Sequence, residues 1–216
     1  MASFVFSGFG SWFDGPLYVD AMLSYTYVDY EAERDVNAGN IGASGQLDSE
    51  TDAHQAGVTV GGGYQMQLEG VTLGPVAQMN YIYTRIEGFN EGGFASFALS
   101  YQDQEIESLV TSLGGEISYP ISASFGVVTP HLRLTWEHEI LDDPRKIRAG
   151  FLLDDSGNGN AITTETDEPD RNFGRISVGA AAQLQGGLAA FVEYETVLGL
   201  AHTEAHKFTG GGRIEF

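Results

Sequence analysis

The sequence predicts an all-β protein, specifically a transmembrane antiparallel up-and-down β-barrel, on three observations. Apolar and polar residues alternate with a period of two along most of the chain. Short turns alternate with long polar loops. The face opposite the apolar one carries small, polar and charged residues. Together these features are typical of outer-membrane barrels, whose strands turn one face to lipid and the other to a polar lumen.

The composition excludes several other classes of protein. The chain has no cysteine, so neither a disulfide framework nor a thiolate metal site is available. Its net charge of −20 argues against nucleic acid as a partner, because phosphate binding needs clustered Lys and Arg. No apolar run approaches the roughly 18 residues that a transmembrane helix requires. No secretory signal is recognisable at the N-terminus, so we expect one to lie upstream of Met1.

The strand pattern is clearest near the C-terminus. Every second residue from Arg175 to Leu184 is apolar, and a Gln-Gly-Gly turn follows. The segment 188–200 repeats the pattern with Glu193 and Glu195 on the other face. Both segments have about the ten residues that a tilted strand needs to cross the hydrocarbon layer. The same alternation upstream gives about nine membrane strands in total.

The connections alternate in length, which indicates the orientation of a barrel. Short turns are predicted at 14–15, 68–70, 120–124 and 185–187, and long polar loops at 31–53, 88–104 and 141–172. Outer-membrane barrels have short periplasmic turns and long extracellular loops. Tyr and Trp residues towards the strand ends are typical of interfacial girdles. Pro130 lies within a strand, where it removes a hydrogen-bond donor, so a bulge or broken pairing is expected there.

The last strand carries a possible assembly signal. Phe208, Ile214 and Phe216 share one face, and Phe216 is the terminal residue. This arrangement resembles the signal that the barrel-assembly machinery of outer membranes reads. An unpaired strand edge can bind a partner by β-augmentation while its aromatic side chain fills a pocket.

Six ordered segments resemble one known family. They are 27–34, 51–54, 74–75, 86–93, 103–110 and 141–145. Together they are similar to the C-terminal β-domain of autotransporters, and most closely to the GDSL-type esterase/lipase autotransporters. The resemblance implies a twelve-stranded barrel that anchors an N-terminal passenger and takes part in its passage to the cell surface.

This sequence departs from the family in two ways. About nine strands fall short of twelve, so residues 1–216 are expected to be the C-terminal portion of the β-domain, without the passenger, the linker helix and the first strands. An isolated nine-stranded sheet would leave two unpaired edges in lipid, at high cost. No Gly-Asp-Ser motif occurs, so the family's nucleophile has no matching position and no catalytic residue is assigned to this chain.

Charged residues on the polar face are the main candidate site. The alternation turns eight of them into the lumen, namely Arg133, Arg175, Arg213, Glu116, Glu137, Glu193, Glu195 and Glu215. With both signs present, they could form a cross-lumen ion-pair network that holds the linker helix. The alternative is a merely hydrated lumen, in which such pairs contribute little.

The loops carry weaker candidates. Residues 154–165 have the spacing of a calcium loop, but without flanking helices a polar surface loop is favoured. The acidic loops could bind cations that bridge to lipopolysaccharide, although solvation by charge is the favoured interpretation. His202, Glu204 and His206 are interpreted as exposed loop residues. No metal or cofactor is predicted.

Two rival functions remain open. One is a small outer-membrane barrel of another class, such as an adhesin, a porin-like protein or a surface protease. A protease would need His138 to pair with Asp142 or Asp143 at the extracellular rim. The other is a soluble β-sandwich acting as a binding module, in which the alternation would instead build a core between two sheets.

Overall fold

The computed structural model describes residues 2–39, 43–153, 162–168, 170–201 and 203–214. The strands in chain order are β1 (Ala2–Asp14), β2 (Leu17–Ala38), β3 (Ala43–Tyr64), β4 (Met66–Leu68), β5 (Val71–Ile86), β6 (Phe89–Asn90), β7 (Gly92–Gly93), β8 (Leu99–Tyr101), β9 (Gln104–Ser118), β10 (Ile121–Ala123), β11 (Gly126–Glu139), β12 (Lys146–Phe151), β13 (Ile162–Glu165), β14 (Asn172–Leu184), β15 (Leu188–Leu198) and β16 (Ala205–Ile214). One 3₁₀ turn covers Ala95–Phe97. No described helix is long and apolar enough to pass through a bilayer.

Nine long strands form one continuous antiparallel sheet. Their order is β1-β2-β3-β5-β9-β11-β14-β15-β16, so each strand pairs with the next long strand of the chain. The predicted all-β, up-and-down arrangement of about nine strands is therefore confirmed. The short strands β4, β7 and β10 extend the sheet at its margins. Within the described residues β1 and β16 are the two edges of the sheet.

The two faces of the sheet differ as the alternation predicts. Large apolar side chains are exposed on one face, among them Leu113 at 55%, Leu134 at 48% and Phe208 at 78%. Only six apolar residues of the described chain are buried. A soluble sandwich would instead bury its apolar face between two sheets. The exposed apolar face is therefore suited to the hydrocarbon of a membrane rather than to water.

The hairpin of β2 and β3 corrects the loop predicted at 31–53. Each strand has 22 residues, which at ~3.4 Å per residue gives roughly 75 Å, about twice what a bilayer crossing needs. The register runs unbroken from Leu17 opposite Tyr64 to Ala38 opposite Ala43. Strand pairing therefore continues through residues that a polar composition alone assigns to a loop.

The other two predicted loops are also partly ordered. Strands β6 and β8 from 88–104 join β12 and β13 from 141–172 in a second, four-stranded sheet. Strand β7 pairs with β3 through Leu47 opposite Gly93. Leu47 and Ala98, each only 1% exposed, form a small core there. We call this second sheet, with β7 and the 3₁₀ turn, the loop layer.

Pro130 marks a break in the sheet, as the sequence predicts. Pairing of β11 with β9 begins only at His131, and pairing with β10 ends at Val128. The ladder with β14 continues through Pro130 without interruption. The carbonyl of Pro130 accepts a hydrogen bond from the Tyr119 amide, so the missing N–H lies on the interrupted side.

The turn that connects β4 to β5 needs positive φ angles. Glu69 has φ 49° and Gly70 has φ 86°, and they lie between Leu68 and Val71, which pair in register. Positive φ at both central residues is typical of the hairpin turn that matches the strand twist.

Replacing Gly70 with alanine is therefore expected to lower the free energy of unfolding by about 1 kcal/mol, because L-residues are disfavoured at positive φ. Urea unfolding of the two proteins in detergent micelles measures this change in the free energy of unfolding. Gly8→Ala on β1 is the control, since a Cβ there meets nothing within 4 Å. Equal midpoints for the two variants would contradict the assignment of this turn.

Candidate functional site

The polar face of the sheet lines a cavity of ≈ 810 Å³. Side chains from β1, β2, β3, β5, β9, β11, β14 and β15 contribute to it, so the polar face is the concave one. Six of the eight predicted lumen charges lie on its wall: Glu116, Arg133, Glu137, Arg175, Glu193 and Glu195. Their common placement follows from the period of two on neighbouring strands.

Arg175 is the centre of the largest charge cluster. Its Nε and Nη2 donate to the two carboxylate oxygens of Glu137 at 2.5 and 2.9 Å, and its Nη1 donates to Glu195 at 2.6 Å. Thr135 and Ser177 add hydroxyl hydrogen bonds to Glu137 and Glu195, at 3.2 and 3.4 Å. Glu137 is only 3% exposed. The guanidinium thus joins β11, β14 and β15 through two carboxylates.

A second cluster spans five neighbouring strands, from β2 to β11. Arg133 donates to Glu116 at 2.7 Å, and the Tyr18 hydroxyl donates to the same carboxylate at 3.1 Å. Tyr18 lies on β2 and Glu116 on β9, so the tyrosine ring must cross β3 and β5. Gly63 permits this, because a Cβ there would lie 2.7 Å from the ring. The cluster therefore links side chains of strands that are not neighbours in the sheet.

Two residues of the cavity wall and one buried glutamate on β11 were not singled out by the sequence analysis. His131 contacts Glu193 at 3.1 Å, and Asp20 lines the cavity. Glu139, 8% exposed, accepts hydrogen bonds at 2.8 Å from the Ser108 hydroxyl and the Leu109 amide. The alternation placed Asp20 and His131 on the polar face, but it could not indicate their partners.

An ion pair between Arg34 on β2 and Glu91 holds the loop layer against the sheet. It lies outside the part of the sheet that would span a membrane. Glu91, 6% exposed, accepts hydrogen bonds from Arg34 Nε at 2.9 Å, Arg34 Nη2 at 2.5 Å and the Leu99 amide at 2.8 Å. Burial alone would raise the pKa of Glu91, but these hydrogen bonds outweigh it and hold the pKa below its usual value. Nothing in the local sequence indicates this pair.

The remaining predicted site residues have different placements. Arg213 lies on β16 opposite Ala189. Phe208 and Ile214 are exposed on the apolar face, and the Phe208 ring lies 4.8 Å from that of Tyr194. Glu215 and Phe216 lie outside the described residues. The roles predicted for all these residues stay predictions.

The structure does not assemble the protease pair. His138 hydrogen-bonds to Asn172 at 3.1 Å and stacks on Trp136. Asp142 pairs instead with Arg171. The contacts of both residues therefore serve the local fold of the rim rather than a catalytic dyad.

The predicted loop sites are partly described. Residues 154–161 of the candidate calcium loop, and His202, lie outside the described residues. Glu165 is on β13 and pairs with Lys146 at 3.3 Å. The loop placement predicted for His206 is wrong, because His206 lies on β16, where it stacks on Tyr194 and hydrogen-bonds to Thr196. Across the described ranges, no group of three or more His, Asp or Glu side chains could hold a metal ion.

Comparison with known proteins gives one family match and several longer relatives. The family described as "Autotransporter beta-domain" matches residues 1–195. Lipase 1 of Photorhabdus luminescens is 23% identical over 218 residues, covering 99% of this chain and 32% of the relative. Esterase EstA of Pseudomonas aeruginosa is 24% identical over 188 residues, covering 85% and 28%. The chain thus spans about a third of the length of these curated relatives.

Two solved structures share the fold. The translocator domain of the autotransporter NalP from Neisseria meningitidis has a TM-score of 0.67 and 17% identity, covering 99% of this chain and 66% of that one. The β-domain of the Bordetella autotransporter BrkA has a TM-score of 0.62 and 17% identity, covering 99% and 73%. Both likenesses concern the arrangement of strands.

Proposed function

This chain belongs to the autotransporter β-domain family, and we propose that it anchors an N-terminal esterase passenger of the GDSL type and helps to export it. The chain is part of an outer-membrane β-barrel of a Gram-negative bacterium and acts as a translocator. The translocator domain is not itself the catalytic part of such a protein. The passenger and its chemistry are the proposed part.

The observation that carries the translocator function is the contrast between the two faces of one sheet. The outer face exposes large apolar side chains to lipid, and the inner face presents paired charges to a cavity. A polar wall of this kind accommodates a hydrated polypeptide segment, whereas an apolar wall would not.

The esterase passenger is supported by the relatives. One named relative is a lipase and the other an esterase, and this chain aligns with about a third of each. The remaining length of each relative leaves room for a catalytic domain. We therefore expect the whole protein to hydrolyse esters at the cell surface.

The lumen wall is proposed to hold the linker helix of the passenger. Among the charged residues that line the cavity, five are acidic (Asp20, Glu116, Glu137, Glu193 and Glu195) and two are arginines (Arg133 and Arg175). The acidic excess favours a linker that turns basic side chains towards β9–β15, because opposite charges attract.

Further partners are proposed on weaker grounds. The exposed apolar faces of Phe208 and Ile214 support recognition of the last strand by the barrel-assembly machinery, with Phe216 as the terminal aromatic. The acidic loops are proposed to meet lipopolysaccharide through bridging cations. Strands outside these 216 residues are proposed to cover the edges of β1 and β16, since an open edge in lipid is costly.

Surface display of an esterase tests the proposal. Intact cells that express the full-length protein are expected to hydrolyse an ester substrate attached to beads, and external protease should abolish that hydrolysis. Removal of residues 1–216 is the control and should abolish display. Activity that appears only after the outer membrane is permeabilised would contradict the export role. A displayed domain without esterase activity would contradict only the passenger's identity.

A further inference from the structure

A second cavity opens on the lipid-facing side of the sheet, behind the lumen wall. It has a volume of ≈ 490 Å³, and its lining includes Leu73, Pro75, Gly115, Glu116, Ile117 and Leu134. This volume lies within the roughly 300–1,000 Å³ range of small-molecule sites. We call it the outer groove.

The side chains that border the outer groove belong to the apolar face. Leu73 pairs with Ile117, and Gly115 lies between Pro75 and Leu134 in the register. Ile117 is 45% exposed and Leu134 48%. Glu116 contributes only from the other side, since its carboxylate binds Tyr18 and Arg133 in the lumen.

Gly115 lines the groove at an outward position of β9 that has no side chain. On either side of it along β9 the outward positions are Leu113 and Ile117, both large and exposed. A side chain would fit at Gly115, since an added Cβ would meet only the Gly74 carbonyl, at an ordinary 3.5 Å. No described backbone contact therefore requires glycine at this position. The missing side chain leaves an apolar notch between Leu113 and Ile117 on the lipid-facing side of β9.

We propose that the outer groove binds one acyl chain of a phospholipid from the periplasmic leaflet. The groove is continuous with the lipid-facing surface, so hydrocarbon is the solvent at its mouth. It lies towards the short turns, near β4 and the start of β5, and short turns are periplasmic in such barrels. Its border is apolar, which suits methylene groups and offers no partner to a charged headgroup. The proposal rests on the membrane barrel and not on the passenger.

Native mass spectrometry of the full-length protein in detergent tests this, with palmitoyl-oleoyl phosphatidylethanolamine as the probe. The wild type is expected to retain one phospholipid. Gly115→Leu fills the groove and should weaken retention about tenfold or more, which corresponds to ~1.4 kcal/mol. Gly115→Ala should weaken it by roughly fourfold, the effect of about one methylene group.

Gly174→Leu is the matched control. Gly174 also lies on the apolar face, opposite Trp136 and Leu198. A Cβ there would meet its nearest atoms at 3.9 Å, and the site is towards the loop end. This variant should retain the phospholipid as the wild type does. Heat-modifiable migration on gels confirms folding of each variant, and Gly115→Ala carries the test if Gly115→Leu does not fold.

Three results would overturn the proposal. In the first, Gly115→Leu and Gly174→Leu retain phospholipid equally. In the second, the wild type retains lipopolysaccharide rather than phospholipid, with the same dependence on Gly115. In the third, the wild type is a dimer that Gly115→Leu converts to a monomer, which would make a second copy of the chain the occupant of the groove.

Discussion

Replacing Arg175 with methionine is expected to lower the free energy of unfolding by about 3 kcal/mol. The variant keeps the apolar stem but removes all three donors to Glu137 and Glu195. Glu137 is only 3% exposed, so its carboxylate would lose its cation in a largely buried position. Removal of one partner from such a pair costs more than the pair itself contributes. Urea unfolding of the protein in detergent micelles measures the loss.

Two companion variants separate the causes. Arg175→Lys keeps the charge, but an ammonium group cannot bond both oxygens of Glu137 and also reach Glu195, so about half of the loss should remain. Glu137→Gln combined with Arg175→Met removes the uncompensated charge and should recover part of the stability.

An exposed ion pair gives the matched control. Lys146 and Glu165 lie 3.3 Å apart with exposures of 55% and 58%. Lys146→Met is therefore expected to cost less than about 1 kcal/mol. If Arg175→Met cost no more than Lys146→Met, the lumen charges would be merely hydrated, which is the alternative that the sequence left open.

Replacing Glu91 with glutamine is expected to lower the free energy of local opening of the loop layer by about 2 kcal/mol. The membrane part of the barrel should stay folded. The Glu91 carboxylate accepts two hydrogen bonds from Arg34 and one from the backbone N–H of Leu99. The neutral side chain of glutamine has only one acceptor oxygen and cannot accept all three in the same way. Hydrogen exchange of the amides in 87–104 should become roughly thirtyfold faster. Glu87→Gln is the control, since Glu87 is 55% exposed and meets His54 only at 3.8 Å.

The same pair predicts a dependence on pH. The pKa of Glu91 in the folded protein lies below its usual value, so the stabilisation is fully present above the unfolded pKa. It is lost as the pH falls through the folded pKa. The protection of the amides in 87–104, taken relative to the intrinsic exchange rate at each pH, should therefore fall in acid in the wild type, and much less in Glu91→Gln. Equal acid sensitivity of the two proteins would contradict a role for the Glu91 carboxylate.

Some predicted features failed for a common reason. The loops predicted at 31–53, 88–104 and 141–172 were wrong in part, because residues there pair as strands in the β2–β3 hairpin or in the loop layer. Polar composition indicates that a segment is not in lipid, but it does not exclude strand pairing in water. The predicted turn at 120–124 likewise contains β10, and the turn itself lies at Ser124 and Phe125.

The lumen charges show which part of a site the alternation of side chains can indicate. The alternation placed Glu116, Arg133, Glu137, Arg175, Glu193 and Glu195 on one face, because side chains on a strand point to opposite sides with a period of two. It could not predict which side chains bond to which, since partners such as Tyr18 and Glu116 are 98 residues apart. The outer groove was equally invisible, because it depends on which side chains flank Gly115 in the neighbouring strands.

The sequence by itself determined the strand period, the two faces, the number of long strands and the position of the break at Pro130. These are local properties, set by each residue's neighbours along the chain. Only the tertiary structure decided which charges meet, how far β2 and β3 extend, how the loop layer joins Arg34 to Glu91, and where the outer groove lies. Those properties depend on register between strands, which turn geometry and cross-strand packing fix together.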